Sequence, residues 1–163
     1  YQYLAIKSIS ERKRLISCPK SVIILSSFSF SYCSLLKRVI KNQGCIVVAQ
    51  IVPIDELSKE YWKKLVHIRQ PLRKNYFTGE EWKLLFLQHH FQLKDETTIV
   101  LKGSLNTWIE KYNIKNTERI NLYRSLLENA SPEYKEKYKI RKVGIDIEYS
   151  SQWFIGKFIN DKG

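Results

Sequence analysis

One segment with almost no polar residue constrains this chain more than any other feature. Cys45–Val52 reads Cys-Ile-Val-Val-Ala-Gln-Ile-Val, apolar throughout except for Gln50. A strand with one wet face alternates polar and apolar residues, whereas a continuous apolar run marks a parallel strand covered on both faces. The preceding residues agree. Tyr32–Gln43 sets Leu35, Leu36, Val39 and Ile40 on one face at helical spacing, with Lys37, Arg38 and Lys41 off it. Gly44 follows where a helix end tolerates positive φ. Before the helix, Ser21–Leu25 is short, apolar and β-branched, flanked by Pro19 and a serine-rich stretch. Strand, helix, strand over residues 21–52 is therefore a βαβ unit, expected to cross over right-handed and to end at Pro53.

The remaining chain reads as alternating helices and strands. Tyr3, Leu4 and Ile6 suggest a short strand near the start. Ser58–Ile68 is a helix with Tyr61, Trp62, Leu65 and Val66 inward. Residues 69–77 are irregular, because Pro71 disfavours helix before it. Thr78–His90 is a helix opened by a Thr78–Glu81 capping box, with Trp82, Leu85, Phe86 and His89 on one face. Thr97–Leu101 is a strand, Leu105–Tyr112 a helix, and Thr117–Asn129 a helix capped by Asn116 or Thr117. Val143–Tyr149 alternates strictly, with Val143, Ile145, Ile147 and Tyr149 on one side. It is expected to pair with a further strand, Trp153–Ile159, as a hairpin through Ser150–Gln152.

With 163 residues, 44% of them hydrophobic, the chain is long and apolar enough for one domain with its own core. It begins at Tyr1 and contains no methionine, so a processed, trimmed or partial chain is expected. Cys18, Cys33 and Cys45 are odd in number and widely spaced, which is neither a disulfide framework nor a zinc site. They imply a reducing, cytoplasmic compartment. The apolar runs are far shorter than the roughly 20 residues of a membrane helix. The net charge is +12, and its excess lies towards the front: Lys7, Arg12, Lys13, Arg14, Lys20, Lys37, Arg38 and Lys41 face only Glu11 before Pro53. Such a balance attracts anions through long-range potential but does not name them.

The order of elements after residue 20 resembles the second half of a class I S-adenosylmethionine-dependent methyltransferase, of the methyltransferase type 11 kind. Its fourth strand would be Ser21–Ser26 and its fifth Cys45–Val52, entered through Lys41-Asn42-Gln43-Gly44-Cys45. That turn is typically Lys-Pro-Gly-Gly in the family, and only Gly44 remains here. Phe77-Thr78-Gly79-Glu80-Glu81 resembles the family's Phe-Thr-x-Glu-Glu start of its fifth helix, which here ends in His89-His90-Phe91 instead of Ala-Gly-Phe. The sixth and seventh strands would be Thr97–Leu101 and Trp153–Ile159. The resemblance implies an α/β fold: a partial Rossmann-like methyltransferase sheet with flanking helices and a C-terminal antiparallel hairpin. It also implies S-adenosyl-L-methionine as cofactor. The family's glycine-rich cofactor loop follows its first strand; the six glycines here, at 44, 79, 103, 144, 156 and 163, form no glycine-x-glycine cluster. A single domain over 1–163, N-terminally truncated, is therefore expected. Its strand 21–26 would be an open edge able to pair with an upstream half or a second copy.

The resemblance also assigns candidate site residues. The loop after the fourth strand lies at the ligand-binding end of an open α/β sheet. Ser26, Ser27 and Phe28 would contact cofactor there, and Phe30 the substrate. The region before the fifth helix often closes over substrate in the family. In it, Arg69 and Arg73 are suited to clamp a carboxylate or phosphate, His67 to act as a base near neutral pH, and Tyr76 to assist it. His89-His90 has no clustered partners and reads as helix-end packing, so no metal is expected. Three functions follow: a methyltransferase with a small-molecule acceptor, a non-catalytic methyltransferase-like module or remnant, and a basic RNA-binding or RNA-methylating module. No recognised nucleic-acid motif supports the last, and no membrane association is expected.

Overall fold

The computed structural model of the protein describes residues 22–25 and 32–160. Ser26, Ser27, Phe28 and Phe30, and the short strand expected near Tyr3, lie outside them. The strand–helix–strand unit is present as β1 (Val22–Leu25), α1 (Tyr32–Val39) and β2 (Cys45–Val52). β1 and β2 are parallel, with Val22 opposite Cys45 and Leu25 opposite Val48. Every residue of β2 is buried, as its unbroken apolar run requires. Helix α1 is shorter than its periodicity suggests. Leu36 and Ile40 are buried, but Val39 is 62% exposed and does not belong to the inward face.

The chain continues through α2 (Lys59–Arg69), α3 (Gly79–Gln88), β3 (Phe91–Ser104), α4 (Leu105–Tyr112), α5 (Thr117–Glu128), α6 (Pro132–Lys137), β4 (Arg141–Val143) and β5 (Asp146–Asn160). Local caps explain several boundaries. The side chains of Ser104, Asn116 and Ser131 accept from the backbone N–H of Thr107, Arg119 and Tyr134 at the starts of α4, α5 and α6. Pro132, at the start of α6, loses no helical hydrogen bond there.

The sheet order is β1-β2-β5-β3, with β4 paired to β5. Among the described residues β1 is the terminal strand on one side and β3 on the other. β3 extends well beyond the expected Thr97–Leu101, and Gln92, Lys94, Glu96, Thr98, Val100 and Lys102 on one of its faces are exposed. Charged side chains along such an edge oppose pairing with other chains.

The C-terminal hairpin exists, but not through Ser150–Gln152. β5 runs unbroken through those residues, and the antiparallel pair is β4 with the start of β5, Val143 opposite Asp146. The physical reason is the turn residue. Gly144 has φ +60, which a two-residue hairpin needs at its first central position, and Ser150–Gln152 contains no such residue. Val143–Tyr149 is accordingly not one strand with a single inner face: Ile147 and Tyr149 are buried, whereas Ile145 at the tip is 84% exposed.

Two compact units are distinguished, and β2, β3 and β5 each contribute residues to both. Of the described residues, the first comprises 22–25, 32–50, 79–99 and 153–160, and the second 51–78 and 100–152. In the first, Phe86 of α3 stacks on Phe158 of β5, with Trp82 and Phe91 beside it. Val47, Ala49, Ile155 and Ile99 form a further apolar cluster. Asn160, fully buried, ties α1 to β5: its Nδ2 donates to the Ile40 carbonyl at 2.8 Å and the Lys37 carbonyl at 3.3 Å. Its backbone exchanges hydrogen bonds with Gln43 and Gly44. Asn160→Leu is expected to cost about 1–3 kcal/mol, the penalty for stranding buried carbonyls. Urea unfolding checks this, and an unchanged midpoint would refute it.

In the second unit, α2 and α5 pack together around tyrosines. Tyr61 stacks on Tyr134 at 4.4 Å and donates to the Leu126 carbonyl. Tyr138 donates to Ser58 Oγ at 3.1 Å. Asp55 accepts from the Ser58 backbone N–H and pairs with Lys137 at 2.8 Å. The bond from Lys137, together with those from Ser58, holds its carboxyl below the usual range.

Candidate functional site

Four of the residues singled out from sequence, His67, Arg69, Arg73 and Tyr76, lie in the second unit, at the end of α2 and in the segment that follows it. Pro71 stops the helix. The Gln70 N–H closes the last turn on the Val66 carbonyl at 2.7 Å, and the Arg73 N–H then bonds the Gln70 carbonyl. The chain doubles back and brings Tyr76 to His67.

His67 Nδ1 lies 3.0 Å from the Tyr76 hydroxyl, and that hydroxyl donates to the Arg73 carbonyl at 3.0 Å. A phenol has one proton to give. With the phenol proton on the Arg73 carbonyl, the arrangement suits the tautomer that carries its hydrogen on Nδ1. His67 is exposed, so Nε2 is open to solutes.

Arg73 is engaged with its own chain. Its Nε donates to the Asn75 carbonyl at 2.7 Å, Nη2 to the Ile51 carbonyl at 2.9 Å and Nη1 to Gln70 Oε1 at 3.3 Å. The guanidinium also lies over the Trp62 ring, 5.1 Å from its centroid. Burial, and secondarily the like charge of Arg69, push its pKa down to about 10, against the opposing effect of Tyr76. These contacts shape the loop from Gln70 to Tyr76.

Arg69 differs. Its Nη1 reaches Ser151 Oγ at 3.4 Å and its guanidinium lies 5.7 Å from the Tyr149 ring centroid, but its shielded Nε has no partner. Among the described residues no carboxylate pairs with it. Burial alone would lower its pKa; Tyr123, Tyr149 and Tyr112 outweigh burial and raise it, so the cation persists. It borders a partly open cavity of about 20 Å³ that Tyr123, Tyr149, Ser150 and Ser151 also line. That is room for about one water-sized polar group beside a guanidinium.

Arg119 of α5 was not signalled by sequence. Its Nε donates to the Ile68 carbonyl at 2.6 Å and its Nη2 to the Arg69 carbonyl at 2.9 Å, while the guanidinium faces Trp108. It caps the C-terminus of α2 and so holds His67 and Arg69 in place. No local pattern reveals a partner about fifty residues away.

Among the described residues no three of His, Cys, Asp and Glu gather as metal ligands, and no helix is long and apolar enough to cross a membrane. The space a Cβ would need at Gly44 is filled by Ile40 at 2.7 Å, and at Gly156 by Phe154 and Phe158, both at 2.7 Å. These glycines serve the chain's own packing.

The sheet order β1-β2-β5-β3 is the order in which class I methyltransferases set their fourth, fifth, seventh and sixth strands, and the chain has that Rossmann-like fold. Two solved structures are similar to it. A candidate methyltransferase of Bacillus halodurans C-125 superposes with a TM-score of 0.76 at 14% identity, over 86% of this chain and 70% of that one. The YcgJ protein of Bacillus subtilis superposes with a TM-score of 0.74 at 18% identity, over 89% of this chain and 67% of that one. No family model matches the sequence, and no curated protein matches it.

Proposed function

We propose that the chain belongs to an S-adenosylmethionine-dependent methyltransferase acting on a small molecule. The observation that carries this reading is the fold, which superposes on a candidate methyltransferase with a TM-score of 0.76. The cofactor would supply a methyl group on a sulfonium. Ser26, Ser27 and Phe28 would contact it at the end of β1, and Phe30 would face the acceptor; the glycine grip would come from outside the described residues. In this reading His67 Nε2 takes a proton from the acceptor while Tyr76 orients the ring. Arg69 fixes an acidic group of the acceptor, and Arg73 acts as a positioning residue through the loop it binds. Orientation of the reacting groups supplies most of the acceleration such a reaction needs.

Calorimetric titration of S-adenosylmethionine and S-adenosylhomocysteine into the chain tests the reading. Dissociation constants on the order of micromolar, about −8 kcal/mol, would support the reading for this chain. Absence of binding at millimolar ligand would reject the enzyme reading for this chain and favour a non-catalytic module of the same fold.

A further inference from the structure

A cleft of about 420 Å³ opens in the second unit, apart from the contacts of His67 and Tyr76. Lys102 of β3, Lys135 of α6, Lys139 and Arg141 of β4 line it, and Glu148, Tyr149 and Ser150 of β5 complete it. Its volume falls in the range of small-molecule sites. The only acid, Glu148, is taken by Arg141, whose Nε and Nη2 lie 2.8 and 2.6 Å from Glu148 Oε2. Lys102, Lys135 and Lys139 have no carboxylate within ion-pair distance among the described residues. Two positions beyond Lys135, by contrast, Lys137 pairs with both Asp55 and Glu133. Tyr149, in the cleft wall, also contacts the Arg69 guanidinium. Charge of one sign around a concavity focuses the field on whatever enters it.

The backbone supplies an independent observation. Lys139 has φ +51, directly after the C-cap of α6. The Ile140 N–H reaches the Lys135 carbonyl at 2.8 Å and the Lys139 N–H reaches the Glu136 carbonyl at 3.2 Å, a helix ending whose left-handed residue is usually glycine. A lysine there is strained, and it adds its charge to the cleft.

We propose that this cleft binds a phosphorylated small molecule, with its phosphate between Lys102, Lys135 and Lys139. Carboxylates favour the planar fork of an arginine, and the one arginine in the cleft is engaged by Glu148; ammonium groups suit a phosphate as point charges. Single-stranded nucleic acid needs exposed rings for base stacking. The one aromatic lining the cleft, Tyr149, is buried.

Pyrophosphate and a twelve-nucleotide single-stranded RNA, titrated separately into the full chain at low salt, test the proposal. One pyrophosphate site is expected, weakened about tenfold or more in the K102Q/K135Q double variant. Lys64→Gln removes an exposed charge from α2, away from the cleft, and is expected to leave affinity within about twofold. Lys139→Gly separates binding from folding: its Tm is expected to rise by about 2–4 °C through relief of the left-handed strain, while pyrophosphate binding weakens several-fold. Unchanged affinity in the double variant, equal weakening by K64Q, or binding of RNA without binding of pyrophosphate would each overturn the proposal.

Discussion

Phe86→Ala is expected to destabilise the protein by about 3–5 kcal/mol, the range for truncating a fully buried phenylalanine. The ring is 0% exposed. It stacks on Phe158 at 4.4 Å, meets Phe91 edge-on at 5.7 Å, and lies 6.4 Å from Trp82. These partners come from α3, β3 and β5, so no single segment can relax to fill the hole. Both terms of the penalty therefore apply: lost transfer free energy and a residual cavity. At about 2–4 °C per kcal/mol for a chain of this size, Tm should fall by roughly 6–20 °C. Thermal unfolding of the variant beside Phe86→Leu, which keeps most of the volume, checks it. A loss under about 1 kcal/mol in Phe86→Ala would show that the aromatic cluster does not carry the first unit.

Alkaline pH is expected to unfold the protein steeply. Burial raises the phenols of Tyr61 and Tyr123 well above their ordinary value of 10 and also raises that of Tyr138, all in the second unit. In the unfolded chain these groups lose protons near pH 10; in the folded chain they keep them. The folded state then binds more protons, so stability is fully present below pH 10 and falls as pH rises past it. Cys33, pushed up to about 11 by burial, adds a loss from about pH 9, the ordinary value of its thiol. Arg73 works in the opposite direction: with its pKa lowered to about 10 in the fold, the unfolded state binds the extra proton above that point. Each group that keeps its proton only in the folded chain contributes at most about 1.4 kcal/mol per pH unit, and the phenols and the thiol together outnumber Arg73. Absorbance at 295 nm followed beside near-ultraviolet circular dichroism reads this directly. Part of the tyrosine signal should appear only as the native dichroism disappears. If all ten tyrosines ionise near pH 10 with the native signal intact, the buried phenols are not where the fold puts them.

Much of the fold was legible because its signals are local. The burial of β2 is written in its own eight residues, and the bounds of α4 follow from its apolar spacing. The start of α5 follows from Asn116, whose side chain accepts from the Arg119 N–H three residues on. The same reading could have found α6 from Ser131-Pro132, a cap followed by a proline at the first helical position. It misread residues 143–149 by weighting alternation above the turn residue, Gly144. The candidate site was half legible. His67, Arg69, Arg73 and Tyr76 were recognisable as polar residues around a proline break. Which of them faces its own chain was not.

Periodicity and caps decided on their own the parallel strand–helix–strand unit and most helix starts, because backbone hydrogen bonding and side-chain alternation act over a few residues. Only the tertiary structure decided that Arg73 bonds the Ile51 carbonyl, that Arg119 caps α2 from α5, and that Lys102, Lys135 and Lys139 line one cleft. Those contacts join residues far apart in sequence, and such partners are selected only when the chain closes on itself and each buried polar group must find a mate within reach.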